Sequence, residues 1–272
     1  MRLPGGRDLG QRALSSLVLA PVVLAATVFG GLPFVVLWTL AGFAILMEWA
    51  SIARLARREV WLALAGAALA GASILLYLGS GQAAFSLLCL GAAASVFVVP
   101  RQSGFALVGV LVAGAACLPV MALRNGGELG LVAVLFLLAV VWATDIFAYF
   151  VGRLVGGPRL WPRVSPNKTW AGSAGGALAG MLAGVGAGLA AGLPSVLPLG
   201  ILALLVSMAA QGGDLAESAA KRTFGVKDAG RLIPGHGGLL DRLDGFASAS
   251  LVAVAIGLLR NAADPAAGLL LW

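Results

Sequence analysis

LGLVAVLFLLAVVWATDIFAYFV, residues 129–151, is a run of 23 residues with a single charge, Asp145, toward its C-terminal end. A helix of about 20 apolar residues crosses a hydrocarbon core, and there a backbone has no hydrogen-bond partner but itself. The stretch therefore predicts a transmembrane helix, and the sequence around it repeats the pattern. Runs of the same kind occupy 13–31, 33–53, 60–79, 82–100 and 103–123 before it, and 172–193, 195–213 and 245–262 after it. The expected fold is all-α: a polytopic integral membrane protein of about nine transmembrane helices. Composition agrees, because 60% hydrophobic and 11% charged lies far from the roughly half-apolar, quarter-charged make-up of soluble domains.

The net charge of +7 raises the question of a nucleic-acid partner. No stacking aromatics are interleaved with the basic residues and no soluble domain is left to hold a duplex, so nucleic acid is not expected. Topology accounts for the charge instead. With the N-terminus cytoplasmic and nine spans following, all of the 18 Lys and Arg residues except Arg124 and Arg260 fall on the cytoplasmic side. That is the positive-inside asymmetry, and it places the C-terminus on the opposite side. Arg2, Arg7 and Arg12 ahead of the first run resemble a secretory signal, but eight further spans make a retained helix the simpler reading. Cys89 and Cys117 stand mid-span without metal-type spacing and read as small buried apolar groups.

Polarity divides the chain into an N-terminal scaffold of helices, 1–143, and a C-terminal region, 144–272, whose polar loops at 152–171 and 214–244 are expected to be cytoplasmic and to carry any site. Glu48 stands out in the scaffold, since an ionisable residue inside a span is costly and is by default a functional candidate. It lies near the cytoplasmic end, where snorkelling or a pair with Arg54 accounts for it. The seventh run carries glycine at 172, 176, 180, 184, 188 and 192, which strips one helical face of side chains. Such a face joins helices within one chain or two copies of it, so a homodimer through transmembrane helices is one of two expectations.

Residues 211–245 read QGGDLAESAAKRTFGVKDAGRLIPGHGGLLDRLDG. On a helix Asp214, Ser218, Lys221 and Arg222 share one face, at i, i+4, i+7 and i+8. A carboxylate, a hydroxyl and two cations on one face suit Mg²⁺ with a phosphate. An amphipathic helix end whose charges reach the headgroups would look the same, and Glu217 fits either reading. Glycines and Pro234 then break the helix and leave Lys227, Asp228, Arg231 and His236 on a loop. His236, the single histidine, belongs to the loop's architecture or to substrate contact. Gly237 and Gly238 lead into a new helix whose free N–H groups would suit a phosphate. In that helix Asp241 and Asp244 lie three apart and repel each other without a cation, although Arg242 could pair with them structurally.

Upstream, Asp145 and Tyr149 lie one turn apart, and a carboxylate buried there needs a cation or donor. Ser165, Lys168 and Thr169 form a hydroxyl and cation cluster at a helix start, able to grip phosphate oxygens; a serine–proline turn capping that helix explains it equally well.

Ser218, Lys221-Arg222, Lys227-Asp228, His236-Gly237-Gly238 and Asp241-Arg242-Leu243-Asp244 together resemble the signature of the phosphatidate cytidylyltransferase family. Gly213-Asp214-Leu215 with Glu217, Asp145 to Tyr149, and Ser165-Pro166-Asn167-Lys168-Thr169-Trp170 are similar to other landmarks of that family; Glu48-Trp49 is a faint addition. Similar proteins usually place an acidic residue after the Lys-Thr-Trp, where this chain has Ala171 and Gly172. The resemblance implies attack of the phosphatidic acid phosphate on the α-phosphorus of CTP, giving CDP-diacylglycerol and pyrophosphate. It implies Asp214 and Asp241 as metal-binding aspartates, with Asp244 beside them, for Mg²⁺ and a second cation. Lys168, Lys221, Arg222 and Lys227 are then expected to neutralise phosphate charge, in a bacterial inner membrane with the site facing the cytoplasm.

Other readings share parts of this pattern. A CTP-dependent polyprenol kinase would have a similar nucleotide site but needs a base for its alcohol. A CDP-alcohol phosphotransferase has its acidic motifs on adjoining turns, unlike the long loop between Asp214 and Asp241. A secondary transporter would carry its charges at the bilayer midplane in two related halves, whereas here they gather at one surface.

Overall fold

The computed structural model describes residues 6–230, 232 and 237–272, with side chains from residue 17 onward in the first helix. Helices dominate, in the order α1 (Gly6–Phe29), α2 (Gly31–Ile52), α3 (Arg58–Tyr77), α4 (Gly81–Val98), α5 (Ser103–Arg124), α6 (Gly127–Leu154), α7 (Trp170–Ala190), α8 (Val196–Thr223), α9 (Leu240–Arg260) and α10 (Pro265–Leu270). A two-stranded hairpin, β1 (Arg159–Trp161) and β2 (Ser165–Thr169), lies between α6 and α7. Among the described residues eight helices, α2 to α9, are long and apolar enough to cross a membrane. The protein is an all-α polytopic membrane protein. The first of the nine expected spans falls in α1, of which the described apolar part is Leu17–Phe29. Large apolar side chains such as Phe29, Leu90, Phe97, Leu197 and Leu259 face outward, as they do where the solvent is lipid.

Packing divides the chain differently from polarity. One compact unit comprises the described residues up to Cys117 together with those of 226–242; the other comprises Leu118–Gly225 and Leu243–Trp272. In the first, small residues let helices approach closely, which is how helices associate where the hydrophobic effect cannot drive them together. A Cβ on Gly109 would run into the Trp49 ring and one on Gly91 into Ala68. The Trp49 indole donates to the Phe105 carbonyl at 2.8 Å. Arg54 and Arg57 both adopt left-handed backbone in the α2–α3 turn. The Gln102 side chain clamps that turn, accepting from Ala56 N (2.8 Å) and donating to the Ala53 and Arg54 carbonyls (3.1 and 3.0 Å).

In the second unit α7 lies against both α6 and α8. Its glycines 172, 176, 180, 184 and 188 are buried. Cβ atoms there would meet Ala148, Thr144 and Ser207 in the upper turns and Phe136, Ala203 and Leu199 further along. The stripe is therefore filled inside the chain. Gly192 stands apart from it, past the helix end at φ 76°, where it turns the chain. At the crossing the Thr144 and Ser207 hydroxyls meet at 2.6 Å, a buried polar pair between α6 and α8.

Candidate functional site

Of the charged residues singled out by the sequence, the second unit holds Asp145, Lys168, Asp214, Glu217, Lys221, Arg222 and Asp244. α8 runs without a break through the polar segment to Thr223 and stops at Gly225, whose φ of 69° ends the helix. Asp214, Ser218 and Lys221 therefore do stand on one helix. The Asp214 carboxylate forms an ion pair with Lys168, presented by β2 of the hairpin, and lies 3.5 Å from the Ser218 hydroxyl. Lys221 turns aside to pair with Glu217 at 2.7 Å, and both side chains are largely buried. Glu217 is thus the partner of Lys221.

Asp244 comes to Asp214 across the α8–α9 crossing, within electrostatic range of Asp214, Asp145 and Lys221. Two glycines make that approach possible. A Cβ on Gly213 would overlap Ser248 Cβ at 2.6 Å and the Asp244 carbonyl at 2.7 Å, and one on Gly245 would lie 3.0 Å from the Ala210 carbonyl. Each glycine is the chain neighbour of one of the two carboxylates. One turn before Asp214, Gln211 accepts from the Ser173 hydroxyl (2.5 Å) and donates to its carbonyl (3.3 Å), tying α8 to α7. Nothing in the local sequence marked this pair.

The other residues expected here divide. Asp145 is exposed on α6, where a buried carboxylate was expected. The Tyr149 hydroxyl accepts from Arg153 at 2.9 Å, along its own helix. Ser165 begins β2, so the hydroxyl and cation cluster sits on a strand, not on a helix start. Thr169 alone caps α7, its buried hydroxyl accepting from Gly172 N at 3.1 Å. Arg222, Lys227, Asp228 and Arg242 are exposed.

In the first unit the loop between α8 and α9 is built on carboxylates. Asp241 accepts from Ala229 N at 3.1 and 3.0 Å and from Gly238 N at 2.9 Å. Gly237 takes a left-handed φ of 86° to let the chain turn there. His236 lies outside the described residues. Glu48 is buried, 7% exposed, and accepts from Leu239 N and Leu240 N, each at 2.9 Å. This corrects two expectations. Glu48 does not snorkel, and the N–H groups entering α9, expected to await a phosphate, are already taken by Glu48 and Asp241. A carboxylate at a helix N-terminus satisfies the same donors and dipole as a phosphate would.

Residues 10–259 match the sequence profile described as the Cytidylyltransferase family. The chain belongs to that family. It is 38% identical over 250 residues to the phosphatidate cytidylyltransferase of Brucella abortus biovar 1 (strain 9-941), covering 89% of this chain and 91% of the relative. It is 37% identical over 146 residues to the Bacillus subtilis (strain 168) protein of the same name, covering 53% and 54% of the two chains. It is 46% identical over 118 residues to that of Staphylococcus saprophyticus, covering 43% and 45%.

The donor set of this cytidylyltransferase can be tested against the expected cation. Among the described residues, no three or more His, Cys, Asp or Glu side chains form a metal cage of their own. Mg²⁺ does not require one, since it usually takes one or two carboxylates and completes its octahedron with water and substrate phosphates. Asp214 and Asp244, two carboxylates flanking the glycine crossing of α8 and α9, fit that demand.

Proposed function

We propose that the chain joins CTP to phosphatidic acid, making CDP-diacylglycerol and releasing pyrophosphate. The observation that carries the reading is the lysine-flanked carboxylate pair, Asp214 and Asp244, in a polytopic membrane protein of the cytidylyltransferase family. In the reaction a phosphate oxygen of phosphatidic acid bonds to the α-phosphorus of CTP. The bond from that phosphorus to the oxygen bridging toward the β-phosphate breaks, and pyrophosphate departs with the electron pair. A phosphate monoester is already nucleophilic, so the chain needs no covalent residue and its work is positioning and charge neutralisation.

Lys168 and Lys221 supply fixed positive charge beside Asp214 and Asp244, suited to the oxygens of the triphosphate or the lipid phosphate. The hairpin holds Lys168 to α8, and Glu217 holds Lys221. Asp214 and Asp244 would hold Mg²⁺, which when bound neutralises and orients phosphate oxygens, and the family resemblance implies a metal-binding role for Asp241 as well. The bacterial relatives and the charge asymmetry support a place in the inner membrane with these residues toward the cytoplasm.

Purified protein, phosphatidic acid, Mg²⁺ and CTP labelled at either the α or the γ phosphate test the reading. The α label should enter lipid and the γ label should leave as pyrophosphate. Entry of the γ label into lipid would make the protein a kinase and overturn the proposal.

A further inference from the structure

Glu48 is the one ionisable side chain buried within the described span of α2, and its carboxylate accepts from backbone N–H groups. Its carboxylate reaches the backbone 191 and 192 residues downstream, at the two N–H groups where α9 begins. The loop is shaped to receive it. A Cβ on Gly230 would meet Glu48 Cδ at 2.8 Å and Cγ at 2.9 Å, and one on Gly238 would meet Glu48 Oε2 at 2.8 Å. Two glycines at separate points of the loop thus leave room for the same carboxylate. The next residue after the capped pair is Asp241, which folds back on Ala229 N and Gly238 N of that loop. Three consecutive N–H groups, Gly238 to Leu240, and that of Ala229 earlier in the loop are divided between two carboxylates, so the placing of one constrains the other.

We infer that Glu48 is a positioning residue for the cytidylyltransfer reaction: it caps α9 from α2 and so fixes the backbone from which Asp241 is presented. The inference rests on the function proposed above for its kinetic consequences, while its structural half stands apart from that reading. A helix start left with open N–H groups is free to shift, and a displacement of about 1 Å at a reacting group costs on the order of 100-fold in rate. Glu48 touches no substrate in this account, so its loss should fall on kcat and leave the affinity for CTP and lipid nearly as it was. A glutamine keeps one acceptor oxygen of the two and should restore part of the rate.

The test uses the full-length protein in detergent as wild type, Glu48→Ala, Glu48→Gln, Gly230→Ala and the double variant Glu48→Ala with Gly230→Ala. Amide hydrogen exchange at Leu239 and Leu240 is followed beside the kinetics. We expect about a 10- to 100-fold loss of kcat for Glu48→Ala, in the range seen when an outer partner of a site is removed. KM for CTP should change less than about threefold, Glu48→Gln should lie between, and exchange at the two amides should accelerate in Glu48→Ala. Gly230→Ala alone should also lose rate, whereas in the Glu48→Ala background it should add little because its clash is gone. Wild-type kcat in Glu48→Ala, or unchanged exchange at Leu239 and Leu240, would overturn the inference. So would additive losses in the double variant, or a Glu48→Ala defect confined to folding that Glu48→Gln does not relieve. If the wild type itself fails to label lipid, the functional reading falls, and the exchange data still decide whether Glu48 holds the start of α9.

Discussion

At the scale of single residues, the proposed site is a balance of charges in which Lys168 and Lys221 each have an acidic partner. Lys168 stands against Asp214 and Lys221 against Glu217, with Asp244 within electrostatic range of Asp214 and Lys221. Lys168→Ala would leave Asp214 opposite Asp244 with less compensation. Its kcat for CDP-diacylglycerol formation should fall about 100-fold, the scale of removing one charge-stabilising donor, with Lys168→Arg restoring part of it. Steady-state kinetics on the purified variants checks this, and an unchanged kcat in Lys168→Ala would remove the lysine from the site. The sequence made the identity of these residues legible, because helical spacing alone places Asp214, Ser218 and Lys221 together. It did not make their pairing legible. Glu217 could be read either way, and Glu48 could not be read at all as a cap, since its partners are backbone atoms far along the chain that carry no side-chain signal.

At the scale of elements, glycine decides which helices meet and how closely. Gly213→Val would push α9 away from α8, at an overpacking cost of about 1–3 kcal/mol, and would separate Asp244 from Asp214. Activity should fall more than stability does, as compared by thermal unfolding and turnover on the same preparation. On α7, Gly180→Leu would strike Thr144 and Ser207, whereas Gly186 has nothing within 4 Å of a Cβ built on it. Gly180→Leu should therefore lower the melting temperature markedly and Gly186→Ala should leave it unchanged. The apolar spans were legible because hydrocarbon admits few structures other than a self-bonded helix. The hairpin was not. Arg159–Trp161 and Ser165–Thr169 are short, lack apolar alternation and contain Pro166, all of which argue against a strand when read locally. Its register, Arg159 opposite Thr169 and Trp161 opposite Ser165, serves to deliver Lys168 to α8.

At the scale of the whole molecule, the chain reads as a bilayer-embedded enzyme whose polar residues collect in two segments between spans. Nine spans with a cytoplasmic N-terminus would expose the α5–α6 turn and the C-terminus on the far side. A reporter active only outside the cytoplasm should work when fused after Asn125 or Trp272 and stay silent after Gln102 or Gly157; the reverse pattern would invert the proposed orientation. Polarity suggests a division at 143 and 144, whereas packing joins the loop after α8 to the N-terminal helices, a long-range partnership carried by Glu48 that composition does not encode. The most direct test of the central claim is transfer of label from α-labelled CTP to phosphatidic acid in detergent with Mg²⁺, comparing wild type with Asp214→Asn and Asp241→Asn. The account predicts labelled CDP-diacylglycerol with the wild type and its near loss in both variants; a wild type that leaves CTP untouched with lipid and metal supplied, or variants that label lipid as well as it does, would contradict it.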